Sequence, residues 1–383
     1  NSATSDAITT AADGTCTAKL TSIGGGQLSH RNLIINGAMQ VAQRGTSYTG
    51  TDQYNTVDRF LTRIGGVDEN CTMEQVDVGS GTTPYSLGFR KSFKITNGNQ
   101  TSGAGAGDYI QIIQRIEAQN VAQSGWNYVS SSSNITLSFW VRSSVAQNFY
   151  GYLRSIDGTG QLYPFETGSL TADTWTKITK TIPGNSNLTF DINNGEGLQF
   201  QIAQFWGTDY TDAGVSLNAW AAYASGTRAP NYTSTWYTTN DATFELTGVQ
   251  LEVGDTATSF EHLSFGEELL RCYRYYYRLK GENNKTYMIG MSDNDNLNIY
   301  GFFHFPVPMR IAPTSIEQNG TASHYKVRRD TTKSCTAVPA FIDAMDFYCR
   351  VNFPSSGHGW GTGQMLWCQG GSSSSYIGFP AEL

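Results

Sequence analysis

Between Phe205 and Tyr237 the chain carries Trp206, Tyr210, Trp220, Tyr223, Tyr232, Trp236 and Tyr237, with few charged residues among them. Flat rings interspersed with Asn, Gln and Asp suit one chemistry well. The apolar face of a pyranose stacks on an indole or phenol, and its hydroxyls exchange hydrogen bonds with amides and carboxylates. Trp206, Trp220, Tyr223, Tyr232 and Trp236 are therefore the candidate ligand-binding residues of this stretch. Packing competes for the same rings, and about half or more of them are expected in a core or an interface. Trp140 and Trp175 sit in regular strand patterns and are assigned to the core. A second candidate is Gly357-His358-Gly359-Trp360-Gly361-Thr362-Gly363. Glycine on both sides lets the backbone turn sharply and uncovers the ring, so Trp360, with His358 beside it, is expected in ligand contact or buried between copies.

Other chemistries find no support. There is no Gly-x-Ser-x-Gly elbow, no Walker loop and no His-Glu-x-x-His. Gly103, Gly105 and Gly107 open no helix and read as a loop. Asp293-Asn294-Asp295-Asn296 begins like a calcium loop, but Asn298 and His304 stand where that template needs Gly and Glu, so a turn is expected. The five histidines do not pair at metal-ligand spacing, and zinc on Cys349, His358 and Cys368 is disfavoured on the same ground. Asp157, Glu166 and Asp173 are as well explained by solvated loops as by glycoside hydrolysis. The expectation is a binding protein, with no catalytic residue, no cofactor and no assigned metal ligand.

Composition narrows the partners. The net charge is −7 and no long basic run occurs, so nucleic acid is excluded as a partner. No apolar run reaches the ~18 residues of a membrane span, so no membrane insertion is expected. The six cysteines are scattered without a Cys-x-x-Cys pair, and most are expected reduced, with Cys335, Cys349 and Cys368 the best placed to meet. The Asn-x-Ser/Thr sequons follow from a chain rich in those residues. Asn1 opens the chain in place of Met, and a fragment of something longer is expected.

The elements that must position these rings are strands. Charged residues are only 15% of the chain, and 41 glycines punctuate it. Residues 1–31 read as an N-terminal arm or linker. Residues 32–262 read as one large β domain: Ile135, Leu137, Phe139 and Val141 share a face, and LQFQIAQF (198–205) and FELTGVQLEV (244–253) alternate with period two. Ser264-Phe265-Gly266-Glu267 is a capping box, and Phe265, Leu269, Tyr273 and Tyr276 follow at helical spacing, so 263–280 is expected as a short helical connector. Residues 281–383 return to β character as a small tip domain. The predicted class is all-β: a large jelly-roll β-sandwich, a short helical connector and a small C-terminal β domain. Tyr273, Tyr275, Tyr276 and Tyr277 cannot all face one side of a helix, and a tip of about 100 residues has a modest core. Some of these tyrosines are expected to meet another domain or another chain, and association as a homotrimer is expected.

Asn32-Leu33-Ile34-Ile35-Asn36-Gly37-Ala38-Met39-Gln40-Val41-Ala42-Gln43-Arg44-Gly45, with Asp58-Arg59-Phe60, resembles the opening of a domain found in phage tail-fibre and virion proteins. Gly248-Val249-Gln250-Leu251-Glu252-Val253-Gly254, then Glu267-Glu268-Leu269-Leu270-Arg271-Cys272-Tyr273-Arg274-Tyr275-Tyr276, is similar to that group's domain end and junction. Phe305-Pro306-Val307-Pro308-Met309-Arg310 and Ala381-Glu382-Leu383 resemble its C-terminal domain. The sandwich also resembles jelly rolls of carbohydrate-binding modules, which implies a possible structural calcium near the chain ends of the domain. The resemblance implies a receptor-binding virion protein, in a phage tail or surface appendage, contacting host surface polysaccharide or lipopolysaccharide and other tail proteins. The rivals are a purely structural virion appendage and a polysaccharide depolymerase.

Overall fold

The computed structural model describes the backbone of residues 8–10 and 16–18 and, with side chains, residues 29–293, 297–356 and 359–383. Two six-stranded sheets make the large sandwich. One runs Ala221–Ala222, Gln161–Ser169, Asn148–Ser155, Glu196–Trp206, Tyr109–Glu117, Leu61–Gly65; the other runs Thr176–Pro183, Asn134–Ser143, Thr243–Val253, Lys91–Thr96, Cys71–Asp77, Ser47–Gly50. Every named ladder in them is antiparallel. Ile135, Leu137, Phe139 and Val141 point inward to meet Phe149, Leu153, Leu198, Phe200 and Ile202 from the facing sheet. Burying each such side chain stabilises the fold by roughly 1.5–3 kcal/mol. The all-β jelly-roll sandwich read from the alternation is the fold found.

Local departures have physical causes. Trp140 is not in the main core. It alternates with Phe139 and so lies on the outer face, between its cross-strand partners Lys177 and Thr247, where it packs in a satellite cluster with Phe89 and Phe260. Trp175 is only half-buried, just ahead of Thr176–Pro183. Asn32–Gly37 is not a strand. Asn36 sits at φ 62° and its amide bonds Val41 and Asp58, closing a loop that the side chain holds. Within the N-terminal segment, Ile8–Thr10 pairs antiparallel with Cys16–Ala18.

The helix covers Phe265–Tyr273, and its capping box is present: Ser264 Oγ accepts from Glu267 N at 3.3 Å, and Glu267 Oε2 accepts from Ser264 N at 3.0 Å. It stops short of the expected end. Tyr276–Lys280 is a strand paired with Tyr376–Pro380, because the tyrosine run favours an extended, half-buried ribbon once a partner strand exists. This ribbon backs a seven-stranded antiparallel sheet ordered Thr332–Ser334, Tyr325–Arg328, Met365–Gly370, Thr286–Ser292, Ile299–His304, Tyr348–Asn352, Ala340–Ala344. The core between the two layers holds Ile299, Val327, Val351, Leu366, Ile377 and Phe379. Cys335, Cys349 and Cys368 share this core but form no bridge, and Cys71 and Cys272 are also buried and free. Burial pushes the Cys335 and Cys349 thiols up to about 12.

Candidate functional site

The structure gathers part of the aromatic stretch and consumes most of it. Trp206, Tyr223 and Tyr232 meet Tyr109, Tyr150, Tyr152 and Tyr210 on the outer face of the first sheet, roofed by the loop that follows strand Glu196–Trp206. Trp206 is 1% exposed, stacks on Tyr152 at 5.5 Å and donates its indole N–H to Gln111 at 2.6 Å. The Tyr232 hydroxyl is tied to the Tyr150 backbone at 2.9 Å and to Ala203 O at 3.1 Å. The Arg154 guanidinium lies 3.5 Å over the Tyr223 ring. Trp236 is fully buried in the main core and bonds Thr243 O. Trp360 is 4% exposed in the core of its own C-terminal domain. Trp206, Trp236 and Trp360 are thus packing residues, corrected from ligand platforms because their faces and N–H groups are spent within the chain or buried. His358 lies outside the described residues. Trp220 keeps an accessible part: it anchors to Pro183 O at 2.7 Å and lines a groove of about 510 Å³ with Pro164 and Asp212.

A better-formed site lies where the two domains meet. The junction is a dense polar network. Arg59, 1% exposed, pairs with Glu382 and lies 3.5 Å over the Tyr275 ring. Arg274 grips Glu117 bidentately at 2.7 and 2.8 Å, and Tyr275 adds a third bond at 2.6 Å. Although burial pushes it up, these bonds hold the Glu117 carboxyl below its usual value. Gln43 bonds buried Asp58 and donates to Tyr276 O at 2.7 Å. Burial raises the Asp58 carboxyl to about 6. The sequence patches near 36–59, 268–276 and 381–383 converge here.

Beside this network opens a cleft of about 700 Å³, within the ~300–1,000 Å³ usual for ligand pockets. Tyr48, Tyr54 and Tyr376 supply rings, and Arg44, Arg278, Asn55, Gln53 and Glu317 supply polar groups. Tyr48 is 36% exposed and lies against Gly50, where an added Cβ would fall 2.5 Å from the ring. Asn55 Nδ2 and Arg278 Nε are buried without a hydrogen-bond partner among the described residues. Such orphan donors cost about 1–3 kcal/mol each unless a ligand or water supplies an acceptor. Burial, with Glu382 nearby, pushes the Tyr54 phenol up to about 12, so it stays a hydroxyl. The acidic residues are engaged: Arg44 bonds Glu317 and Glu382, each at 3.3 Å, and Tyr276 donates to Glu317 at 2.8 Å.

No family model matches the chain, and no curated protein matches it. Solved structures that resemble it include carbohydrate-binding β-sandwiches and a phage tailspike. The enzymatically active domain of bacteriophage CBA120 tailspike protein 4 aligns over 58% of this chain and 21% of its own length, at 11% identity and TM-score 0.30. A CBM4 domain aligns over 57% of this chain and 97% of its own, at 15% identity and TM-score 0.29. The CBM22-1 xylan-binding domain of Paenibacillus barcinonensis Xyn10C aligns over 62% and 100%, at 10% identity and TM-score 0.28. At these identities the likeness concerns the fold alone.

The calcium that the resemblance implies does not fit the domain ends. Of the carboxylates there, Glu252 accepts from Thr258 N at 2.9 Å, Thr258 Oγ1 at 2.7 Å and Gln250 Nε2 at 2.8 Å, with Arg31 3.5 Å away as its counter-charge, and Glu261 accepts from Asn32 N at 3.0 Å. Among the described residues no group of three or more His, Cys, Asp or Glu could hold a metal ion. Sequence reading missed the cleft because its residues come from positions 44–55, 278, 317 and 376. The only signal was the resemblance of the opening segment and the junction, which marked where the walls begin.

Proposed function

We propose that this chain is a non-enzymatic, glycan-binding component of a phage tail fibre, and that the inter-domain cleft is its sugar site. It acts in the virion, at the host cell surface, on polysaccharide or lipopolysaccharide, beside other tail proteins and as a homotrimer. The observation that carries the glycan reading is the pairing of the exposed Tyr48 ring with the Gln53 and Asn55 amides and the Arg44 and Arg278 side chains in one cleft. A ring and convergent donors are what a pyranose needs for stacking and hydroxyl recognition. The resemblance of the opening and junction segments supports the fibre placement. Binding is favoured over cleavage because the cleft's acids are engaged: Arg44 holds both Glu317 and Glu382, and Tyr276 donates to Glu317, which leaves no free pair of carboxyl groups to flank a glycosidic bond.

The test is a glycan array probed with the whole chain, followed by calorimetric titration of the best hit against Tyr48→Ala and Asn55→Ala. Both variants are expected to lose about tenfold or more in affinity while melting like the parent, since ~1.4 kcal/mol is a factor of ten. Binding retained by both, but lost by Trp220→Ala, would move the site to the Trp220 groove. Release of reducing ends from host polysaccharide would overturn the non-enzymatic reading.

A further inference from the structure

The outer face of the seven-stranded C-terminal sheet is bare and apolar. Direct cross-strand pairing aligns Thr332, Arg328, Trp367, Ile289, Phe302, Arg350 and Asp343 in one row across all seven strands. A second row aligns Met365, Met291, Tyr300 and Asn352. Exposure on this face is 51% for Ile289, 50% for Met291, 51% for Phe302, 69% for Met365 and 47% for Trp367. On the opposite face Ile299, Val351 and Cys368 are at 0% and Leu366 at 1%, packed toward the ribbon of Tyr276–Lys280 and Tyr376–Pro380. The hairpin at 345–347 extends the bare surface: Met345 is 52% exposed, and Phe347, 47% exposed, meets the Tyr348 ring at 5.3 Å.

Large side chains bury roughly 150–250 Å² each. Five of them left half-bare amount to on the order of 400–600 Å², the upper end of what a soluble monomer exposes in one patch. With Tyr300, Met345, Phe347 and the charged rim, the surface approaches the ~800 Å² per partner of a standard stable interface. Its chemistry excludes a sugar as the main occupant: methionine, isoleucine and phenylalanine have no group that reads hydroxyls. The rim is charged. One strand in from one edge, the Arg328 side chain makes no ion pair or hydrogen bond among the described residues; at the far edge Asp343, its side chain 47% exposed, pairs through Oδ2 with Arg350 at 2.6 Å. In a closed ring of copies whose axis runs along the strands, the Arg328 side of one copy meets the Asp343 side of the next. The Arg328 guanidinium then meets a carboxylate whose second oxygen Arg350 leaves unbonded, while the apolar centre is covered.

We infer that this face is the surface through which copies of this chain associate. It names a place for the self-association in the fibre reading, and it is independent of the glycan cleft, which is lined by other residues. The experiment is light scattering of the whole chain at micromolar concentration, with glycan titration in parallel. The parent is expected as three copies, and Met365→Lys and Trp367→Ser as single copies with unchanged circular dichroism and unchanged glycan affinity. Met365 is the most exposed of the set, so its substitution keeps the test clear of folding. Two copies in the parent, dissociated by the same variants, would keep the face and overturn the trimer. A monomeric parent, or an oligomer that both variants leave intact, would overturn the proposal. Absence of glycan binding by a parent found as three copies would count against the cleft alone.

Discussion

Two sheet faces of this protein carry large side chains and meet opposite fates. The outer face of the sandwich sheet bears Tyr109, Tyr150, Tyr152 and Trp206, and the chain's own loop covers it with Tyr210, Tyr223 and Tyr232. The outer face of the C-terminal sheet bears Ile289, Phe302 and Trp367, and among the described residues nothing covers it. On the sandwich, each ring has an intramolecular partner for its polar tip or its face: Tyr152 with Gln201, Trp206 with Gln111, Tyr223 under Arg154. On the tip, the exposed side chains are mostly purely apolar and have no polar tip to satisfy. A roofed face stabilises the monomer, whereas a bare one is stabilised only by something added from outside.

The sharpest way to break this contrast is to truncate rings on both sides. Trp206→Ala or Trp236→Ala is expected to cost about 3–5 kcal/mol, as for large-to-small changes in packed sites. Trp367→Ala, measured at dilution where copies separate, is expected to stay within about 0.5 kcal/mol, as for exposed positions. Urea unfolding followed by tryptophan fluorescence and circular dichroism reads both, and equal costs would end the distinction. Next in size is the effect at the junction that joins the two faces into one body. Arg59→Ala removes one of the two arginines that hold the Glu382 carboxylate, Arg44 being the other, together with the stack on Tyr275, and is expected to cost about 1.5–3 kcal/mol. Loss of a single transition in favour of two would show that the pair couples the domains.

A pH series sharpens the same point. Burial, opposed by hydrogen bonds from Gln43, raises the Asp58 carboxyl from 3.8 to about 6. The folded state therefore holds this proton more tightly than the unfolded one. The contribution is full below the unfolded pKa and declines by ~3 kcal/mol as pH rises from about 4 to about 6. Asp58→Asn is expected to flatten that part of the stability curve; a slope equal to the parent's would assign the titration elsewhere. The smallest effect belongs to the helix that bridges the regions. Ser264→Ala removes the cap on Glu267 N and is expected to cost about 1 kcal/mol, read as a lower melting temperature with unchanged glycan affinity.

The sequence by itself determined the fold class. Period-two alternation in Ile135–Val141 and in 198–205 places every second side chain on the core face, whatever the rest of the chain does. The capping box at Ser264 and Glu267 was equally local, since both partners lie within one turn. Where the helix ends was not local: Tyr276–Lys280 became a strand only because Tyr376–Pro380, about 100 residues away in sequence, offered a ladder. The candidate site was the least legible part. Aromatic density marked 205–237, but density cannot tell a stacked and roofed ring from an open one, and only packing decided that Trp206 and Trp236 are spent. The cleft required Tyr48, Asn55, Arg278 and Tyr376 to be brought together across two domains. A site assembled from residues so far apart has no spacing to read, because its geometry exists only once the buried pairs Arg59–Glu382 and Arg274–Glu117 have fixed one domain against the other.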